Sequence, residues 1–115
     1  MSKTRFFTAG LPVDAQELLT RIGRNYAIAR KRRRWRMADI AERIDCTRQT
    51  VARMEKGDAA VAMGAWLKYA FVLDLLDDFS GICDPDNDQK GKWLDRESRA
   101  HLQRVREKHD QALDF

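Results

Sequence analysis

The sequence predicts an all-α protein. Three observations carry that prediction. Only two prolines and six glycines punctuate the 115 residues, so few positions force a turn. Apolar residues recur every three or four positions over long stretches, which is the period of a helix face and not of a strand. Residues that start and stop helices bracket those stretches. A chain of this length suits one core, and 43% apolar residues beside 35% charged ones supply it.

Residues 1–13 read as an N-terminal arm, with Phe6 and Phe7 apolar and Gly10 and Pro12 breaking any helix. Asp14 followed by Glu17 is a variant of the capping box, so a first helix is expected to begin at Asp14. Ala15, Leu18, Leu19, Ile22, Tyr26 and Ala29 then define one buried face. The helix runs into Arg30 to Arg36 (RKRRRWR), too charged to be buried, although Trp35 is expected to turn inward. A short second helix covers about Met37 to Ile44, with Met37, Ile40, Ala41 and Ile44 on one side.

Thr47 is a good N-cap for a third helix, and Gly57 suits the position just past its end. A fourth helix is expected over Met63 to Leu76, with Asp77 to Gly81 as a short extension. Asp84 to Gly91 (DPDNDQKG) is polar and turn-rich and reads as a flexible linker. A last helix is expected from Asp95 to Leu113, with Ser98, Leu102, Val105, His109 and Ala112 along one seam. The expected organisation is an arm (1–13), a helical domain (14–83), and a linker with a helical tail (84–115).

Composition excludes several classes. Cys46 and Cys83 are far apart and fit no metal-ligand spacing, and His101 and His109 are eight residues apart, so no metal and no cofactor are expected. No Ser/His/Asp or Cys/His grouping and no phosphate-cradling glycine loop is present, which argues against an enzyme. The N-terminus is not followed by the apolar run of a signal peptide, and no stretch approaches the roughly 18 to 20 apolar residues of a membrane span. A reduced, cytoplasmic protein is expected. The net charge of +4 is unevenly spread: residues 1–56 hold 14 Lys and Arg against 6 Asp and Glu, and residues 57–115 hold 8 against 12. A basic first half suggests a polyanionic partner.

The segment Met37 to Lys56 (MADIAERIDCTRQTVARMEK) meets several constraints of a helix-turn-helix at once. Ala41 is small where two steeply crossed helices must approach. Asp45 stands in the turn, where positive φ is needed and where Asp is among the residues that tolerate it. Ile40, Ile44, Val51 and Met54 fill the angle between the helices. With Val51 and Met54 inward, Arg48, Gln49, Ala52, Arg53 and Lys56 fall on the opposite face. Arg can contact guanine O6 and N7 in bidentate fashion and Gln adenine N6 and N7, and the Ala52 methyl suits thymine. These residues, with Thr47 opening the helix, are the expected base readers. Lys56, at the helix end, is expected to meet phosphate.

Residues 20–76 resemble the Cro/repressor-type (XRE) helix-turn-helix family, with AERIDCTRQTVARMEKGD matching its core pattern. The resemblance implies a five-helix DNA-binding domain, extended here by the arm and the C-terminal helix, that works as a dimer. It also implies an ion pair between Arg30, late in the first helix, and Glu55, late in the recognition helix. Met37 stands where the family usually has a phosphate-binding Gln, so the resemblance implies a phosphate-contacting set of Met37, Thr50 and the neighbouring Arg34 and Arg36 beside Lys56. The longer stretch ARKRRRWRMADIAERIDCTRQTVARMEKGDAAVAMGAWLKYAFVLDLLD is similar to HipB-like antitoxins. That resemblance implies autorepression of a toxin-antitoxin operon and binding of a HipA-like kinase toxin.

The fourth helix carries more large apolar residues than one face can bury, so Trp66, Tyr69, Phe71 and Leu76 are expected at a dimer or partner surface. Two recognition helices about 34 Å apart would then read a palindromic operator in double-stranded DNA.

Overall fold

The structure, a computed structural model, describes residues 10–113. Phe6 and Phe7 lie outside the described residues. Five α-helices follow one another: α1 (Val13–Arg32), α2 (Met37–Arg43), α3 (Arg48–Glu55), α4 (Met63–Val72) and α5 (Gln89–Leu113). Short 3-10 turns occupy Leu76–Phe79 and Pro85–Asn87. The described residues contain no strand, so the all-α architecture holds. The chain divides into two compact units between Asp78 and Phe79.

In the first unit, α3 packs against both α1 and α2, and α4 packs on α2. Ile40, Val51, Met54, Tyr69 and Leu73 are fully enclosed. Each such side chain contributes about 1.5–3 kcal/mol on leaving water. Tyr26 of α1 joins this core through aromatic contacts, its ring centroid 4.5 Å from that of Tyr69 and 5.6 Å from that of Trp66. Its hydroxyl donates to the Trp66 carbonyl at 2.7 Å, which satisfies a polar group in an apolar setting. Burial pushes the Tyr26 hydroxyl well above its ordinary pKa, so it stays protonated as a donor.

Several expectations for this unit change. Trp66 and Tyr69, expected on a partner-facing surface, are core residues, 4% and 0% exposed. The surplus of aromatics on α4 is absorbed because α1 brings Tyr26 against them. Helix α1 also starts differently. Pro12 occupies the cap position and its carbonyl accepts from the Gln16 amide at 3.0 Å, while Asp14 lies inside the first turn and makes no cap. Proline is tolerated at this cap position because its fixed φ, here −56°, suits the extended entry to the helix and no intrahelical bond calls on its missing N–H. Trp35, expected to turn inward, is only half-buried, and the Arg43 guanidinium covers its ring 4.1 Å from the centroid.

The first four helices end in one way. Arg34, Asp45, Gly57 and Asp74 have φ of 58°, 55°, 78° and 62°. In each case the next amide reaches back five residues: Trp35 to Arg30, Cys46 to Ala41, Asp58 to Arg53, and Leu75 to Ala70. This is the Schellman arrangement, which satisfies the last helical carbonyls by turning one residue left-handed. Only one of the four left-handed residues is glycine. The turn at Asp74 also ends α4 at Val72, short of the expected Leu76.

In the second unit the polar stretch is ordered by its own aspartates. The Asp84 carboxylate accepts from the Asp86 amide at 2.9 Å, and the Asp88 carboxylate accepts from the Gly91 amide at 2.8 Å. Asp88 thereby caps α5, which begins at Gln89 and not near Asp95, since a carboxylate at that position satisfies an otherwise orphaned N–H. Leu102 and Val105 of the expected seam are exposed on α5.

Candidate nucleic-acid interface

Helix α3 has two unlike sides. Val51 and Met54 are fully buried, while Arg48, Gln49 and Arg53 are exposed and Ala52 is half-buried between them. Thr47 caps the helix, its hydroxyl accepting from the Thr50 amide at 3.1 Å and lying 2.9 Å from the Thr50 hydroxyl. Both threonine hydroxyls are thus engaged with each other where the helix opens. The expected base-reading residues therefore share one exposed side, and Thr47 has a structural task besides.

Three contacts fix how that side is presented. Arg30 and Glu55 form a two-pronged pair, Nε to Oε2 at 2.8 Å and Nη2 to Oε1 at 2.9 Å, with side chains 8% and 6% exposed. The Tyr69 hydroxyl donates to the same Glu55 carboxylate at 2.6 Å, and Arg30 Nη1 donates to the Trp35 carbonyl at 2.9 Å. The Glu55 hydrogen bond raises the Arg30 pKa, and burial together with Glu55 raises that of Tyr69. Arg30 therefore stays charged and Tyr69 stays a donor.

The second contact is a backbone approach. A Cβ on Gly23 would collide with the Met54 carbonyl oxygen and come within 2.8 Å of that of Glu55. Helix α1 can touch the end of α3 only because residue 23 has no side chain. The third contact is Gln16, whose amide donates to the Gly57 carbonyl at 2.9 Å and the Thr20 hydroxyl at 3.2 Å. Gly57 itself has positive φ and packs on the α1 backbone at Thr20, so a side chain there is barred on both counts.

The expected phosphate contacts lie around the two helix boundaries. Arg34 and Arg36 are exposed in the connection before α2, Met37 is the half-buried first residue of α2, and Lys56 is exposed at the end of α3. The Asp39 carboxylate accepts from the Arg36 amide at 2.8 Å, and the Arg36 guanidinium lies 3.6 Å from it. These contacts, the backbone hydrogen bond foremost, hold the Asp39 carboxyl below its ordinary pKa. Arg53 differs from Arg48 and Gln49: its Nε donates to Asp58 at 2.6 Å.

The sequence reading did not single out Gly23, Gln16, Asp39 or Asp58. Gly23 carried a usable signal, since an interior glycine in a helical pattern often marks a close approach. Asp39 stands three residues after the α2 cap position, which is also a readable spacing. Gln16 and Asp58 act across a tertiary contact and a turn that the sequence pattern does not encode. Among the described residues, no group of three or more His, Cys, Asp or Glu comes together to hold a metal.

Residues 27–75, from the last third of α1 to the turn after α4, match the helix-turn-helix family model. That match supports a DNA-binding regulator of the XRE type. No curated protein and no solved structure matches the chain. No described helix is long and apolar enough to cross a membrane.

Proposed function

We propose that this chain is a cytoplasmic, non-enzymatic transcriptional repressor that reads a palindromic operator as a homodimer. The carrying observation is α3 itself: a capped, braced helix with Val51 and Met54 inward and Arg48, Gln49 and Arg53 together on the exposed side. An exposed helix face with these side chains suits the major groove, where each bidentate contact is worth about 1–3 kcal/mol of discrimination. Arg34, Arg36, Thr50 and Lys56 flank that face as the phosphate-contacting set, to which Met37 can add only its backbone N–H at the start of α2.

The dimer surface is the remainder of the expected patch. Phe71 is 69% and Leu76 39% exposed, and both line a groove of about 530 Å³ with Ile44, Leu67 and Val72. An exposed apolar groove on a small domain suits an isologous contact. The finer role is that of a HipB-like antitoxin that represses its own operon and binds a HipA-like kinase toxin. It is supported by the similarity of the RKRRR run, Met37 and the EKGDAAVAMG stretch to those proteins.

Electrophoretic mobility shift with the chain's own upstream promoter tests the DNA-binding reading. Retarded promoter fragment competed only by specific duplex is expected; equal competition by unrelated duplex would overturn it. Co-purification with the product of the adjacent gene tests the antitoxin role, and an adjacent gene encoding no kinase-like protein favours a stand-alone regulator.

A further inference from the structure

We propose that Asp58 is a positioning residue that fixes the aim of Arg53 and thereby sets the base preference at one position of the DNA site. The inference rests on the DNA-binding reading above. Its origin is the way α3 ends. With Gly57 left-handed, the Asp58 amide donates to the Arg53 carbonyl at 3.0 Å and the Gly57 amide to the Met54 carbonyl at 2.9 Å. This helix ending stacks the residue after the glycine over the residue four places before it, usually as an apolar contact. Here the two side chains are ionic instead. Arg53 Nε donates to Asp58 Oδ2 at 2.6 Å.

Asp58 is itself held. Its other oxygen, Oδ1, accepts from the Ala60 amide at 2.9 Å, and its side chain is only 8% exposed. Arg53 remains 45% exposed, on the side of α3 that also carries Arg48 and Gln49. A fixed, nearly buried carboxylate thus grips the Nε edge of a solvent-facing guanidinium. The guanidinium is a rigid plane of donors, so gripping one edge sets the orientation of the whole group. Rotamer freedom is lost on folding and not on meeting DNA, the general basis of preorganised recognition. Arg48 and Gln49 have no such support from the turn. Arg53 is therefore the most directional reader on the helix, and Asp58 gives it that direction without touching DNA.

The test uses the full chain and a randomised duplex library, from which the wild type selects a preferred site. Single-base-pair variants of that site are then titrated with wild type, Asp58→Asn, Arg53→Ala and the double variant. Asparagine keeps the Oδ1 acceptor for Ala60, so the turn survives, and thermal denaturation verifies this. Asp58→Asn is expected to flatten discrimination at one base pair by about 5- to 100-fold, the range of a single bidentate contact. It should leave that profile unaltered in the Arg53→Ala background. Binding to unrelated duplex should tighten, because an anionic side chain leaves a face that meets polyanion. An unchanged base preference in Asp58→Asn, with the wild type selecting a site, overturns this proposal alone. A wild type that selects no sequence overturns the DNA-reading assignment and this proposal together.

Discussion

Arg30 and Glu55, 25 positions apart in sequence, join α1 to the end of α3 through two charge-assisted hydrogen bonds of 2.8 and 2.9 Å. Both side chains are almost wholly withdrawn from water. A pair of this kind adds modestly to stability when intact, because desolvation offsets most of the attraction. Its removal from one side is another matter. Glu55→Ala leaves a buried guanidinium uncompensated and takes the acceptor from Tyr69. A loss of about 3–5 kcal/mol is expected, read as a lowered urea midpoint. A midpoint within error of wild type would show that the brace carries no strain when broken.

Gly23→Ala is expected to destabilise by about 1–3 kcal/mol, because the new methyl meets backbone carbonyls that cannot rotate aside. Ordinarily an interior glycine-to-alanine change in a helix stabilises by roughly 0.5–1 kcal/mol. The sign of the change in Tm therefore decides whether α1 and α3 approach as closely as described.

Arg34 has its backbone in the left-handed region, where a non-glycine residue is strained by about 1–3 kcal/mol. Arg34→Gly relieves that strain and removes a basic side chain. The expected outcome is opposite movement of two quantities: Tm rises, while promoter affinity falls and its dependence on log salt shrinks by about 1. Joint loss of stability and affinity would place the side chain, and not the backbone, in the structural role.

Asp39 gives a pH signature. Its folded pKa is lowered from the ordinary 3.8, so its contribution to stability is present above pH 3.8 and disappears as pH falls through the lower folded value. Asp39→Asn should flatten that part of the stability profile, measured as urea midpoints from about pH 5 downward. Parallel profiles for the two proteins would rule the cap out as the origin.

Phe71→Ser addresses the groove. The side chain is 69% exposed in the single chain, so its loss should change the stability of the monomer by no more than about 0.5 kcal/mol, compared at a dilution where both proteins are monomeric. Sedimentation equilibrium should nonetheless report a shift from dimer to monomer. A dimer undisturbed by this variant would move the interface elsewhere.

The helix-turn-helix was legible because its constraints are local. Positions 41, 45, 51 and 54 declare a small residue, a left-handed turn and two inward apolar groups within one short stretch. The boundaries of α1 and α5 were less legible, because Pro12 and Asp88 supply starts by a proline carbonyl and a lone aspartate in turn-rich sequence. Trp66 and Tyr69 were misplaced for a physical reason. A helical pattern counts apolar residues on one element, but their burial depends on Tyr26, 40 and 43 residues earlier. Of the basic run, Arg34 and Arg36 lie at the surface as the sequence led one to expect, but Arg30 is buried because Glu55 neutralises it, and the grip of Asp58 on Arg53 needed the turn geometry.

The lengthwise division of α3 has a consequence for how such a protein can change. Val51, Met54 and Glu55 are committed to the interior, to Gly23 and to Arg30, and a substitution at any of them disturbs the fold. Arg48, Gln49 and Ala52 make no part of that brace. On the proposed DNA-reading role of α3, new side chains at those three positions would change target preference without rebuilding the scaffold. Arg53 is the exception: any replacement there must come to terms with Asp58. Under that proposal, retargeting the helix is a problem of three independent letters and one linked pair.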